Sequence, residues 1–232
     1  MKRLVLNGSP RGAASNSRTI IGWMVEGMTA AGARAPEVLD LARTRDLPTQ
    51  RQAFLDADEA VLVFPLYTDS VPGIVKNFLE SLADAPRDLL SGKRIAFVIH
   101  SGFPESVQSE PVAAYMERLG RRLGMVHCGT AIKAGSEGFR MMPARMTRKP
   151  HELVAALGKS LVEAGRFDPE ALERLARPRR LGLFMRLSFS VMAVFGVVNM
   201  YWDWMLKKNK AFEKRFDRPY AYALGTPEGP HT

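Results

Sequence analysis

The stretch LVLNGSPRGAASNSRTI, residues 4–20, decides how this chain folds. Leu4–Asn7 is a short apolar run ending in turn residues, which reads as a buried strand. Gly8-Ser9-Pro10-Arg11 breaks the run. Ser15-Asn16-Ser17 then offers N-cap candidates for a helix over about Arg18 to Ala31, with Gly32 as its stop signal. Strand, loop and helix in that order are the opening of an α/β unit.

The same alternation continues downstream. Val38–Leu41 reads as a weaker second strand, Glu59–Phe64 (EAVLVF) as a third, Arg94–Ile99 as a fourth and Met125–Ile132 as a fifth. Helical spacing falls between them at Ile74–Leu82 and Pro111–Leu123, and after them at Glu152–Ala164. Strands that alternate with helices imply right-handed crossovers, hence a doubly wound, mostly parallel sheet with helices on both faces. Ligands of such sheets lie beyond the carboxyl ends of the strands, near the point where strand order reverses.

Three loops leave those ends. In the first, Gly8 allows a tight turn, Ser9, Ser15 and Ser17 supply hydroxyls, and the helix that follows presents free N–H groups with positive partial charge. This makes a phosphate cradle that needs neither metal nor lysine; the alternative is an ordinary strand-to-helix turn with a Ser/Asn cap. The loop lacks both G-x-x-x-x-G-K-[ST] and G-x-G-x-x-G, which disfavours a triphosphate loop and a standard dinucleotide fingerprint. The second loop, Pro65–Gly73, is stiffened by two prolines, and Tyr67 gives it an aromatic face able to edge a planar ring or to pack in the core. In the third, Gly102 permits close backbone approach and Phe103 can lie beside an apolar ring edge. His100 and His127 sit at the end and in the middle of strands and read as structural, and Cys128 reads as a small buried residue.

Composition narrows the function classes. Apolar residues make up 46% of the 232 and charged residues 25%, enough for a sizeable core. A single cysteine excludes a disulfide framework, a thiolate zinc site and a cysteine-ligated iron–sulfur cluster within one chain, and no metal site is expected. It fits a reducing cytosol, and the apolar run after Met1-Lys2-Arg3 stops at Asn7, too soon for a secretory signal, so a cytoplasmic protein is expected. The net charge of +9 is concentrated: residues 177–218 hold ten Lys/Arg against three Asp/Glu. A nucleic-acid partner is not expected, because such proteins spread a basic face over the main fold.

Gly8-Ser9-Pro10-Arg11 with Ser15-Asn16-Ser17, the Pro65-Leu66-Tyr67 loop and Val75-Lys76-Asn77-Phe78 together resemble the flavodoxin-like NAD(P)H-dependent FMN reductase family, over about residues 1 to 165. The resemblance implies a five-stranded sheet of order 2-1-3-4-5. It also implies an FMN phosphate held by Ser9, Arg11, Ser15, Asn16 and Ser17. The flavin ring would be lined by Pro65, Leu66, Tyr67 and Thr68 on one side and by Ser101, Gly102 and Phe103 on the other. The implied activity is hydride transfer from NAD(P)H through the flavin to a small electron acceptor such as a quinone or nitroaromatic. An electron-carrier flavoprotein without a small-molecule substrate is the alternative, mildly disfavoured by the basic balance, and a binding module that has lost its flavin is a third.

The pattern changes after about Asp168, giving an expected division into a flavin-binding domain at 1–167 and a helical, basic extension at 168–232. From Leu187 to Trp202 there are 16 residues without a formal charge, short of the roughly 20 that a spanning helix needs. Large residues recur at Phe184, Val191, Phe195, Val198, Trp202 and Met205, close to a heptad. Three roles fit this stretch. It can pack on the main domain or on a second subunit, as in a homodimer, partly covering the flavin pocket. It can lie on a membrane surface through 181–210, with Arg179, Arg180, Lys207, Lys208 and Lys210 drawn to anionic lipid. Or it can span.

Overall fold

The computed structural model describes residues 1–194 and 199–218. Its strands are β1 (Arg3–Asn7), β2 (Glu37–Asp40), β3 (Glu59–Pro65), β4 (Arg94–His100) and β5 (Val126–Lys133). All pairings are parallel and the order is β2-β1-β3-β4-β5, as expected. Order reverses between β1 and β3, so the switch point lies directly beyond Asn7 and Pro65.

Burial explains why these segments became strands. Every residue of β3 is buried, which suits a central parallel strand covered on both faces. Leu4, Leu6, Leu62, Phe64 and Phe97 point to one face, where they meet Phe54 of α2 (Leu47–Asp56), Phe78 of α3 (Gly73–Glu80) and Met116 of α5 (Glu110–Arg122). A short α4 (Arg87–Leu90) buries Leu90 on the same side. Val5, Val61, Val63 and Val98 point to the other face, against α1 (Asn16–Ala30) and α6 (Ala144–Glu163). Helix α1 presents Ile20, Ile21, Met24 and Met28 to that face, and α6 presents Leu153, Val154, Leu157 and Leu161.

The two helices touch backbone to backbone. A Cβ on Gly27 would lie 1.9 Å from the carbonyl oxygen of Ala155, and one on Gly158 would lie 2.2 Å from that of Met24.

Strand β5 carries a bulge. Ile95 pairs with His127 and Ala96 with Gly129, which leaves Cys128 as the extra residue. Its carbonyl accepts from the Phe167 amide at 2.8 Å, and Gly129 adopts φ +132° beneath the Phe167 ring. Cys128 is buried, and that burial pushes its thiol pKa up.

The first compact unit runs from Met1 to Arg180, so the boundary expected at 167/168 falls inside it. The reason is α7 (Pro169–Leu175), which the charged sequence concealed. Asp168 caps it by accepting from the Ala171 amide, and Ala171 and Leu175 join the same apolar cluster as Val98 and Leu157. Beyond it, Arg179 grips Glu110 through two hydrogen bonds of 2.5 and 2.9 Å. The second unit begins at Leu181 and contains α8 (Leu183–Val194) and α9 (Met200–Lys208) among its described residues. Phe195 and Val198 of the expected heptad lie outside the described residues. Among those described, no helix is long and apolar enough to cross a membrane.

Candidate cofactor site at the carboxyl edge of the sheet

Asn7, the last residue of β1, organises the first loop. It is buried, and its amide nitrogen donates to Asp40 Oδ1 at 2.7 Å and to the Gly12 carbonyl at 2.9 Å, with Ser15 Oγ at 3.3 Å. Its amide oxygen accepts from the Ser9 N–H at 3.1 Å. The strand end therefore pins the loop at both sides, and Gly12 takes the left-handed φ of +53° that closes the turn.

The expected cradle residues divide by what their polar atoms already do. Ser15 is the N-cap of α1: its hydroxyl accepts from the Arg18 amide at 3.1 Å and donates to the Gly12 carbonyl at 2.6 Å. Ser17 is fully buried, its hydroxyl 2.7 Å from His100 Nε2. Asn16 donates to the Glu137 carbonyl at 2.8 Å and accepts from the Arg140 amide at 3.2 Å, which clasps the loop after β5 over the first loop. Ser9, whose hydroxyl accepts from the Arg11 amide at 3.3 Å, and Arg11 line the cleft, and the amides of Asn16 and Ser17 open the helix with no partner inside it.

A single cleft brings together Ser9, Arg11, Asn16, Pro65, Leu66, Tyr67, Ser101 and Gly102. Ser15, Ser17, Thr68 and Phe103 do not line it. Tyr67 and Ser70 exchange backbone hydrogen bonds of 3.2 and 3.0 Å, making a tight hairpin with Thr68 and Asp69 at its tip. Both tip residues have positive φ, +48° and +59°. For the β-branched Thr68 that is a strained conformation, of the sort that collects beside functional sites. Phe103 is exposed, and its carbonyl accepts from the Gly135 amide at 2.7 Å.

Two residues of the cleft wall, His100 and Glu137, were not expected there. His100 is buried between two hydroxyls, with Nδ1 2.8 Å from Ser136 Oγ. Ser136 gives its proton to the Ser101 carbonyl at 3.0 Å, so the ring donates from Nδ1 and accepts from Ser17 at Nε2. This is the neutral imidazole. Burial pushes its pKa down to about 3. Glu137 sets its carboxylate 3.7 Å from the Arg11 guanidinium at the mouth.

The His100 arrangement predicts a pH dependence. The unfolded chain takes up a proton near pH 6.5 that the folded protein refuses until about pH 3. Stability is therefore full above about pH 6.5 and falls with pH, by up to ~1.4 kcal/mol per pH unit from this group. Urea unfolding should show a loss of about 2 kcal/mol between pH 7 and pH 5 that is largely missing in His100→Gln. Equal losses in the two proteins would assign the effect elsewhere.

Among the described residues that line the cleft, one buried side-chain atom has no hydrogen-bond partner. Ser101 Oγ is buried against the cleft without a hydrogen bond. A buried hydroxyl left unsatisfied costs about 1–3 kcal/mol, and this one belongs to a residue of the cleft wall.

Residues 1–130 match the sequence model of a family described as having a flavodoxin-like fold. Among curated proteins none matches the chain. Several solved structures share the fold. An FMN-dependent NADH-azoreductase from Bacillus anthracis in complex with FMN is 16% identical with a TM-score of 0.56, covering 70% of this chain and 100% of that one. The general stress protein 14 of Treponema denticola in complex with FMN is 16% identical with a TM-score of 0.54, covering 71% and 99%. An NAD(P)H:quinone oxidoreductase from Methanothermobacter marburgensis is 17% identical with a TM-score of 0.54, covering 68% and 95%.

Proposed function

This chain belongs to the family of flavodoxin-like fold, and from that premise we propose that it is an FMN-dependent oxidoreductase, passing hydride equivalents from NAD(P)H to a small acceptor such as a quinone or nitroaromatic. The observation that carries the reading is the cleft at the switch point, lined by Ser9, Arg11, Pro65, Leu66 and Tyr67 together with Ser101, whose buried hydroxyl has no hydrogen-bond partner. The azoreductase and stress-protein structures that share the fold hold FMN, which supports the choice of cofactor.

The residues fit such a group. Arg11 and the first amides of α1 supply positive charge and donors for a phosphate, and Gly8 keeps the loop close: a Cβ there would lie 2.5 Å from Val75 and 2.8 Å from Phe64. Pro65, Leu66 and Tyr67 give a stiff, largely apolar wall for a planar ring, and Ser101 and Gly102 line the same cleft. FMN, when bound, supplies a centre that accepts and releases two electrons. The chain's part is to bind and orient it. His100, held neutral by burial, keeps a positive charge out of the cleft floor while tying β4 to α1 and to the loop after β5.

Glu137 opposes the phosphate. Its pairing with Arg11 is between exposed groups and is worth at most about 1 kcal/mol, so a dianionic phosphate displaces it readily. Two substitutions should then act in opposite directions. Arg11→Ala is expected to weaken FMN affinity about tenfold, and Glu137→Gln to strengthen it up to about fivefold. Quenching of flavin fluorescence on titration with the protein reads both. Anaerobic bleaching of the bound flavin by NADH or NADPH, followed by recovery on adding a quinone, tests the reaction. A protein that takes up no FMN sinks the proposal.

A further inference from the structure

The second unit carries an apolar surface among its described residues. In α8, Leu183, Leu187 and Val191 recur every four residues along one face, with Phe184 beside them, and Ser190 and Arg186 border that stripe along one edge. Leu183 is 82% exposed, Phe184 79% and Leu187 62%. In α9, Trp202 and Trp204 are also exposed, and Phe216 beyond it is 78% exposed. Exposed apolar groups at this density mark an interaction surface.

The charges beside them select the partner. Residues 181–218 hold seven Lys/Arg against three Asp/Glu. Cations and aromatic rings are interleaved: Lys208 stands 5.2 Å from the Trp204 ring and Lys207 4.8 Å from Phe212. Arg215 lies between Phe212 and Phe216, at 3.9 and 4.6 Å. Such pairing puts apolar rings and positive charge at one level, the arrangement that suits the boundary between lipid headgroups and acyl chains. A second copy of this chain brings the same positive charge to the same surface, and the repulsion works against an isologous contact. Among the described residues neither helix reaches across a bilayer: twelve residues of α8 and nine of α9 span ~18 and ~14 Å, against a hydrocarbon core of about 30 Å.

We infer that α8 and α9, with the basic residues that follow α9 up to Arg218, form an interfacial anchor that seats the protein on an anionic lipid surface, the apolar face of α8 and the α9 aromatics entering the headgroup region while the lysines and arginines meet lipid phosphates. This rests on the second unit alone and stands or falls independently of the flavin reading.

The test uses the full-length protein with Trp23→Phe, so that Trp202 and Trp204 are its only tryptophans. It is mixed with vesicles of phosphatidylcholine alone and of phosphatidylcholine with phosphatidylglycerol in equal parts. Expected are co-sedimentation with the mixed vesicles at least tenfold stronger than with the neutral ones, a blue shift of tryptophan emission, and quenching by brominated acyl chains. Binding should weaken about tenfold or more in Lys207→Glu/Lys208→Glu/Lys210→Glu, and in half-molar salt. Leu187→Ser should reduce it while circular dichroism confirms folding. Equal binding to both vesicle types, or binding indifferent to the lysine reversals, overturns the inference. So does a protein that ignores both vesicles, including one that light scattering shows to be a dimer dissociated by Leu187→Ser, since a second copy is then the occupant.

Discussion

Gly27→Ala is expected to destabilise the protein by about 3 kcal/mol, although alanine is the better helix former. In an exposed helix the same change gains up to about 1 kcal/mol. Here the new methyl would stand 1.9 Å from the Ala155 carbonyl oxygen and 2.6 Å from its carbon. Those are backbone atoms of α6, so no side chain can swing aside and the two helices must separate. Separation opens the packing between Met24, Met28, Val154 and Leu157, which adds a cavity cost to the clash. Gly158→Ala meets the reciprocal obstacle at the Met24 carbonyl and should behave alike. Gly22, on the same helix with nothing within 4 Å of its Cβ position, is the control: Gly22→Ala should stabilise. Urea midpoints followed by circular dichroism read all three, and a neutral Gly27→Ala would mean that α1 and α6 are less closely joined.

Glu59→Ala is expected to cost about 3 kcal/mol as well, through charge rather than shape. Glu59 opens β3 and is buried, with Arg3 beside it on β1 and Arg94 on β4, in register across the sheet. Its two carboxylate oxygens accept from Arg3 Nε at 2.7 Å and Arg94 Nε at 2.9 Å. Arg94 also donates to the Gly165 carbonyl, so the group ties the amino edge of the sheet to the end of α6. Removing the carboxylate leaves two partly buried guanidiniums facing each other with no anion between them. Replacing all three by apolar residues of similar volume removes the repulsion along with the pairing, and should cost clearly less than the single change. If Glu59→Ala alone were as stable as the wild type, solvent would have to be reaching both arginines.

Much of the sheet was legible because buried parallel strands are near-continuous apolar runs, as in EAVLVF and RIAFVI, and the glycines and prolines after them mark where they stop. Helices α2 and α7 were not legible, since their sequences are rich in charge and amide and only a few residues of each face inward. Helix α6 begins at Ala144, ahead of the expected start near Glu152, and Pro150 with the cations Arg145, Arg148 and Lys149 disguises its first two turns. At the site, the first loop was readable from local residue types. The division of labour within it was not. Ser17 meets a histidine 83 positions away and Asn16 a carbonyl 121 positions away, and no local pattern carries such partners. The signal available for the missed residues was a polar side chain closing an apolar strand, Asn7 after Leu4–Leu6 and His100 after Ile95–Ile99.

The β5 bulge has a practical corollary for labelling chemistry. Cys128 is the sole thiol of the 232 residues, and the bulge turns it into the protein interior, where burial keeps it protonated. Maleimides and methanethiosulfonates therefore meet an inert background. A cysteine placed at Tyr115 on α5, or at Leu183 on α8, becomes the one reactive handle on the molecule without any native residue having to be removed first. Spin labels installed there in pairs would yield inter-unit distances from an otherwise unmodified chain.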